Sequence, residues 1–237
     1  MNRPATLPLD LPPPAAWKAD LRERFWHYLP LKFFGVSAFM GVFFVGYFHT
    51  LHNPAYPVLL MPLTALDRLI PFQPQALAIY LSLWVYVGIA PGLMLTLREM
   101  LVYASWAALL CLAGLACFYF WPTAVPPRTM DVTGLAGFAM LQGVDAAGNA
   151  CPSLHVASAM FTALWVERLL RIVQAPAALR CLNVLWFVAI AYSTVAVRQH
   201  VVLDVVGGIA LGSAFAALSI RWNAGLGRRQ SAAVPGI

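Results

Sequence analysis

Two histidines stand at the polar edges of long apolar runs, in Cys151-Pro152-Ser153-Leu154-His155 and in Gln199-His200-Val201-Val202-Leu203-Asp204. His200 and Asp204 are four apart, a spacing that puts them on one face of a helix. A carboxylate there can accept the Nδ1 proton of His200 and leave Nε2 bare, to attack or to bind a metal. Two histidines, one oriented by an acid, supply a nucleophile and a general acid. His155 falls in the first turn of its run, where free N–H groups and the positive end of the helix dipole attract phosphate. Ser153 can cap that helix or touch a phosphate oxygen. Arg128 and Arg198 flank the two histidines, and a guanidinium fork matches phosphate oxygens. The chemistry these residues allow is phosphoryl transfer, which rests on positioning and charge stabilisation and requires no metal.

The elements that must carry them are membrane helices. The 237-residue chain is 61% hydrophobic and 10% charged, with a mean hydropathy of +0.75, against about 25% charged residues in a soluble domain. A bilayer is spanned by about 20 apolar residues. Six runs qualify, at about 31–51, 76–95, 101–120, 152–170, 181–197 and 200–220. The expected fold is all-α, a bundle of six transmembrane helices (29–222). A cytoplasmic tail (1–28) precedes it, with an interfacial helix around 16–28, and a second cytoplasmic tail (223–237) follows. Pro152 suits the first turn of the fourth span. The proline-rich stretch 52–75 reads as an outer loop with a shallow or re-entrant piece, and 129–150 as the longest polar connection.

The net charge of +6 raises the question of nucleic acid, but its distribution answers it. With the N-terminus inside, Arg3, Lys18, Arg22, Arg24, Lys32, Arg98, Arg168, Arg171, Arg180, Arg221, Arg228 and Arg229 fall on the inner side. Only Arg68, Arg128 and Arg198 fall outside, 12 against 3 of the 15 basic residues. That bias is the positive-inside rule, so the charge is a topology signal and no nucleic-acid partner is expected. Both histidines then face the outside or periplasm from the cell (inner) membrane.

Other polar residues read more simply. Asp67 and Arg68 form a loop pair, and Asp131 and Asp145 are solvated loop residues. His49 and His52 have no carboxylate at helical spacing and read as interfacial. Gly208 and Gly212 make a small-xxx-small step that packs helices. Cys111, Cys117, Cys151 and Cys181 have neither metal-ligand nor disulfide spacing.

At these residues the chain resembles a known family, the type 2 phosphatidic acid phosphatase superfamily. Pro152-Ser153-Leu154-His155 resembles its second motif. Ser193 through His200 to Asp204 resembles its third, which reads Ser-Arg, five residues, His, three residues, Asp. The resemblance implies a six-helix bundle, an outward-facing site and a phosphohistidine intermediate. It makes His200 the nucleophile, Asp204 its orienting acid, His155 the general acid and Ser153 a phosphate contact. The sequence departs from the pattern twice. Thr194 stands where the third motif has its arginine. The first motif, a lysine followed seven places later by Arg-Pro, is represented only by Pro127-Arg128, with Trp121 in the lysine's place. Arg198, four residues after Thr194, is placed to take over the lost phosphate contact. The Pro-Thr-Ala-Val-Pro-Pro-Arg segment (122–128) is more similar to the branch that includes inositol phosphorylceramide synthases. That branch transfers head groups, so water and an alcohol remain open as acceptors.

The expected partners are a lipid phosphate and membrane lipids, with no cofactor and no metal. Two other functions fit some of the same residues. Paired histidines on membrane helices can hold haem in an electron carrier. Polar residues between spans can line a channel or transporter path.

Overall fold

The computed structural model describes residues 16–127 and 148–233, so Arg128, Asp131 and Asp145 lie outside the described residues. A first helix, α1 (Ala16–Trp26), buries none of its side chains. It turns at Tyr28, in the left-handed region at φ 56°, into α2 (Leu29–His52). Pro30 sits in the first turn of α2, where its missing N–H costs nothing. At 1.5 Å per residue, the 24 residues of α2 reach about 36 Å, enough to cross a bilayer.

The proline-rich stretch that follows is ordered by short pieces. A two-residue strand β1 (Leu59–Leu60) pairs in parallel with β2 (Thr123–Ala124). Next comes the five-residue helix α3 (Ala65–Leu69). A 3₁₀ turn, Pro74–Ala76, leads into α4 (Leu77–Leu81) and α5 (Leu83–Gly92). These last pieces act as one apolar segment broken at Ser82, whose N–H reaches both Ala78 O at 3.0 Å and Ile79 O at 3.1 Å.

The next helix, α6 (Leu97–Phe120), starts four residues before the expected span because Thr96 and Glu99 form a capping box. Beyond it lie α7 (Leu154–Ile172), α8 (Ala177–Ala196) and α9 (Val202–Ala233). The helix around 16–28 that the sequence suggests is present as α1. At the other end, α9 continues past residue 220 without a break.

Five segments among the described residues are long and apolar enough to cross a membrane: Leu29–His52, Pro74–Gly92, Leu97–Phe120, Ala177–Ala196 and Val202–Ala224. The segment expected as the fourth span, α7, is not among them. Its last turns carry Glu167, Arg168 and Arg171. It is nevertheless the centre of the molecule, packed against α5, α6, α8 and α9. The consecutive residues Phe161, Thr162 and Ala163 are all buried, so it is covered on different sides. A helix wrapped in protein has no need of an all-apolar surface. Polar bonds tie it to its neighbours: Trp165 Nε1 donates to Ser219 Oγ at 2.8 Å, and Asn183 Nδ2 to Ala163 O at 3.0 Å.

The tightest contact is between α7 and α9. A Cβ on Gly208 would meet Ser153 O and Val156, and one on Gly212 would meet Ala157 O and Met160. The small-xxx-small step is therefore a packing device, as the spacing suggests. Because the obstruction at Gly212 is a backbone oxygen, Gly212→Ala should force the helices apart. A loss of about 1–3 kcal/mol is expected, read as a lower melting temperature in detergent.

Candidate active site

The site is built where the starts of α7 and α9 meet. On the α7 side, Thr123 in β2 holds the incoming chain: its Oγ1 accepts from Cys151 N at 2.8 Å, and its carbonyl from Ala150 N at 3.2 Å. Ser153 is the N-cap, its Oγ accepting from Val156 N at 3.2 Å. The helix thus begins at Leu154, two residues later than expected at Pro152, because the capping serine and not the proline ends the loop. His155 follows in the first turn. Its ring lies flat on Tyr80 of α4, centroids 4.1 Å apart and planes at 16°, with Trp84 of α5 edge-on at 6.5 Å.

On the α9 side the chain reverses within a few residues after α8. Thr194 O accepts from both Gln199 N at 3.0 Å and His200 N at 3.1 Å. Arg198 takes the left-handed conformation, φ 59°, that the reversal needs. Its guanidinium donates to Asp67 O at 2.9 Å and Ile70 O at 2.8 Å, clamping α3 over the turn. Thr194, in the place of the motif arginine, is fully buried with its hydroxyl on Ala191 O of its own helix. His200 then precedes α9, and Asp204 sits in that helix's first turn. The two starts are joined directly, Ser153 N donating to Asp204 O at 3.0 Å.

His200 Nδ1 faces Asp204 Oδ2 at 3.5 Å. That is too long for a formed hydrogen bond, and the same oxygen accepts from Val201 N at 2.9 Å. Asp204 has no exposed surface, and an unneutralised carboxylate at this depth is expensive unless it serves a partner. The two imidazoles border one cavity of about 700 Å³. Four buried side-chain atoms without a hydrogen-bond partner gather here: His155 Nε2, Gln199 Nε2, His200 Nδ1 and Asp204 Oδ1. Each such group costs about 1–3 kcal/mol, so their concentration at the two helix starts sets this region apart from a packed core.

Cys151 stands beside these residues. Burial, with the Asp204 charge behind it, pushes its thiol up to about 11, so it is no thiolate nucleophile.

The structure brings His155, His200, Asp204 and Ser153 together. It places Arg198 in the turn before His200 with its guanidinium on the carbonyls of Asp67 and Ile70, and Arg128 lies outside the described residues. Two further residues help to position the histidines. Tyr80 fixes the ring plane of His155; at the level of sequence it is one belt tyrosine among several. Asp67 is not a solvated loop residue paired with Arg68. It is 1% exposed, accepts from Thr64 N and Thr64 Oγ1 at 2.7 Å, and receives Val202 N at 2.8 Å, the first N–H of α9. The spacing Thr64-x-x-Asp67 is a capping box that could have shown it.

Asp67→Asn would set an amide donor against one of these donors. We expect a loss of about 1–3 kcal/mol in stability and a fall in turnover, since His200 lies two residues before the N–H that Asp67 holds. Thermal melts and initial rates of the purified variant measure both.

The family model described as PAP2 superfamily matches residues 63–218, which include every site residue named here. No curated protein and no solved structure matches the chain.

Proposed function

Since the chain belongs to the PAP2 superfamily, we propose that it is an integral-membrane lipid phosphatase or phosphotransferase working through a phosphohistidine on His200. Membership gives the coarse statement: a membrane enzyme of the phosphatase type, acting on phosphoric esters of lipids. It favours phosphoryl chemistry over the haem-carrier and channel readings.

The observation that carries the finer reading is the pairing of His155 and His200 on one cavity, with Asp204 behind His200 Nδ1. In the proposed reaction His200 Nε2 attacks phosphorus. The bond from phosphorus to the lipid oxygen breaks, and His155 gives that oxygen its proton, releasing the lipid alcohol. His155 then takes a proton from water as the water attacks, the P–N bond breaks, and phosphate leaves with His200 restored. A second alcohol in place of water gives head-group transfer from the same intermediate, as in the inositol phosphorylceramide synthases that the segment 122–128 resembles.

Asp204 holds the imidazole in the tautomer that bares Nε2. The Ser153 hydroxyl and the N–H groups opening α7 bind phosphate oxygens, with Arg128 as a cationic contact and Arg198 as another through the guanidinium N–H groups that its clamp on α3 leaves over. In this reading α7 is the fourth of six spans, sheltered by the others, and the site faces outside from the inner membrane with both termini in the cytoplasm.

The purified protein should release phosphate, or form a new phospholipid, from one of phosphatidate, phosphatidylglycerol phosphate or polyprenyl diphosphate. It should do so undiminished in excess EDTA. No turnover of any of them would overturn the function, and a loss in EDTA that Mg²⁺ restores would replace the mechanism with a metal-assisted one.

A further inference from the structure

We infer that the apolar cavity leading away from the two histidines is a channel for a hydrocarbon chain of the substrate, one that reads the chain's length to beyond the middle of the bilayer. The inference rests on the phosphatase reading for the end where phosphate sits, but its own evidence lies elsewhere. The cavity is continuous from His155 and His200 to Lys32, at the opposite end of α2. Between Lys32 and Phe48, both in its wall, α2 rises about 24 Å at 1.5 Å per residue. The hydrocarbon core of a bilayer is about 30 Å thick, so one leaflet supplies about 15 Å. The cavity is deeper than a leaflet.

Its walls come from α2, α4, α5, α6 and α7 and are overwhelmingly apolar, which fits a hydrocarbon and no charged occupant. The far end is closed by Lys32. That side chain is 5% exposed, its Nζ donating to Arg24 O at 2.5 Å and Gly92 O at 2.8 Å, so its ammonium is held by backbone carbonyls and its stem forms a floor. Just above the floor Gly35 leaves a recess: a Cβ there would meet nothing within 4 Å. Gly35 of α2 and Ala104 of α6 both line it and are both exposed, as residues beside a lateral opening between these helices would be, so a chain can enter without leaving the membrane.

A chain coming from the bilayer gains little by the hydrophobic effect on entering, since lipid tails are as apolar as the wall. Selection must come from packing: a chain that fills the channel displaces nothing and leaves no void, whereas a short one does. The Gly35→Trp and Ala104→Phe variants fill the lower half from two different helices, so a folding defect in one leaves the other.

The test uses the full chain in detergent with octyl, dodecyl and hexadecyl phosphate at matched mole fraction. In the unaltered protein kcat/KM should rise from octyl to hexadecyl. In either variant the hexadecyl-to-octyl ratio should fall about tenfold or more. An equal loss on both substrates, or no dependence on length in the unaltered protein, would overturn the channel. A second measurement does not depend on turnover: hexadecyl phosphate carrying a terminal diazirine should crosslink α2 near Gly35 on illumination. Crosslinks confined to the histidine end would overturn the proposal even in an active enzyme. If no alkyl phosphate turns over but the floor is labelled, the phosphatase reading fails and the channel stands.

Discussion

His200→Ala is expected to remove phosphate release and transfer from lipid phosphates down to background, a fall of at least about ten-thousand-fold. No neighbour can replace its Nε2. Cys151 is adjacent but its thiol is held protonated by burial, and the ring of His155 is stacked on Tyr80 and committed to the leaving oxygen. Folding should survive the change, because the turn that carries His200 is held by backbone bonds to Thr194 O and by the Arg198 clamp, not by the imidazole. Circular dichroism and elution volume should match the unaltered protein while the rate vanishes. Turnover within tenfold of normal would remove His200 from the role of nucleophile.

His155→Gln should have the second-largest effect, and a different signature. A general acid contributes about a hundred- to ten-thousand-fold when the leaving group is a poor one, such as a lipid alkoxide. With p-nitrophenyl phosphate, whose leaving group needs no proton, the attack by His200 should proceed nearly as before. The same histidine is required again to activate water, so the intermediate should then accumulate. Quenched samples of the variant should carry acid-labile phosphate on His200 at close to one per protein, preceded by a burst of nitrophenol. Equal losses on both esters with no trapped phosphate would assign His155 to binding and not to proton transfer.

How much of this was legible beforehand differs from residue to residue. The placing of His155 at one helix start and of His200 and Asp204 together at another is legible because four-residue spacing and capping are local, and the fold leaves both intact. The helical segments were legible from apolar runs, while their ends moved by a few residues wherever a cap decided them, as at Thr96 and Ser153.

The central place of α7 was not legible. Its charged last turns make it the least membrane-like of the long helices, and only the packing of its neighbours shows why that is tolerated. Asp67 was misread because a lone Asp-Arg pair between prolines looks like a solvated loop. Its real partner, Val202 N, lies 135 residues away. The cavity could not be read at all, since its walls draw on α2, α5 and α6, whose inward faces carry no period distinct from their lipid-facing ones.

The seam between α7 and α9 has a mechanical consequence. Glycine-backed contact between the helices, with a backbone hydrogen bond from Ser153 N to Asp204 O at the top, ties the two helix starts and their histidines into a single unit. The α2 helix, by contrast, packs on α5 and α6 outside that unit and buries only Lys32. Harsh solubilisation should therefore strip grip on the tail before it spoils the alignment of the imidazoles, leaving an enzyme that still cleaves small esters after it has lost its taste for long ones.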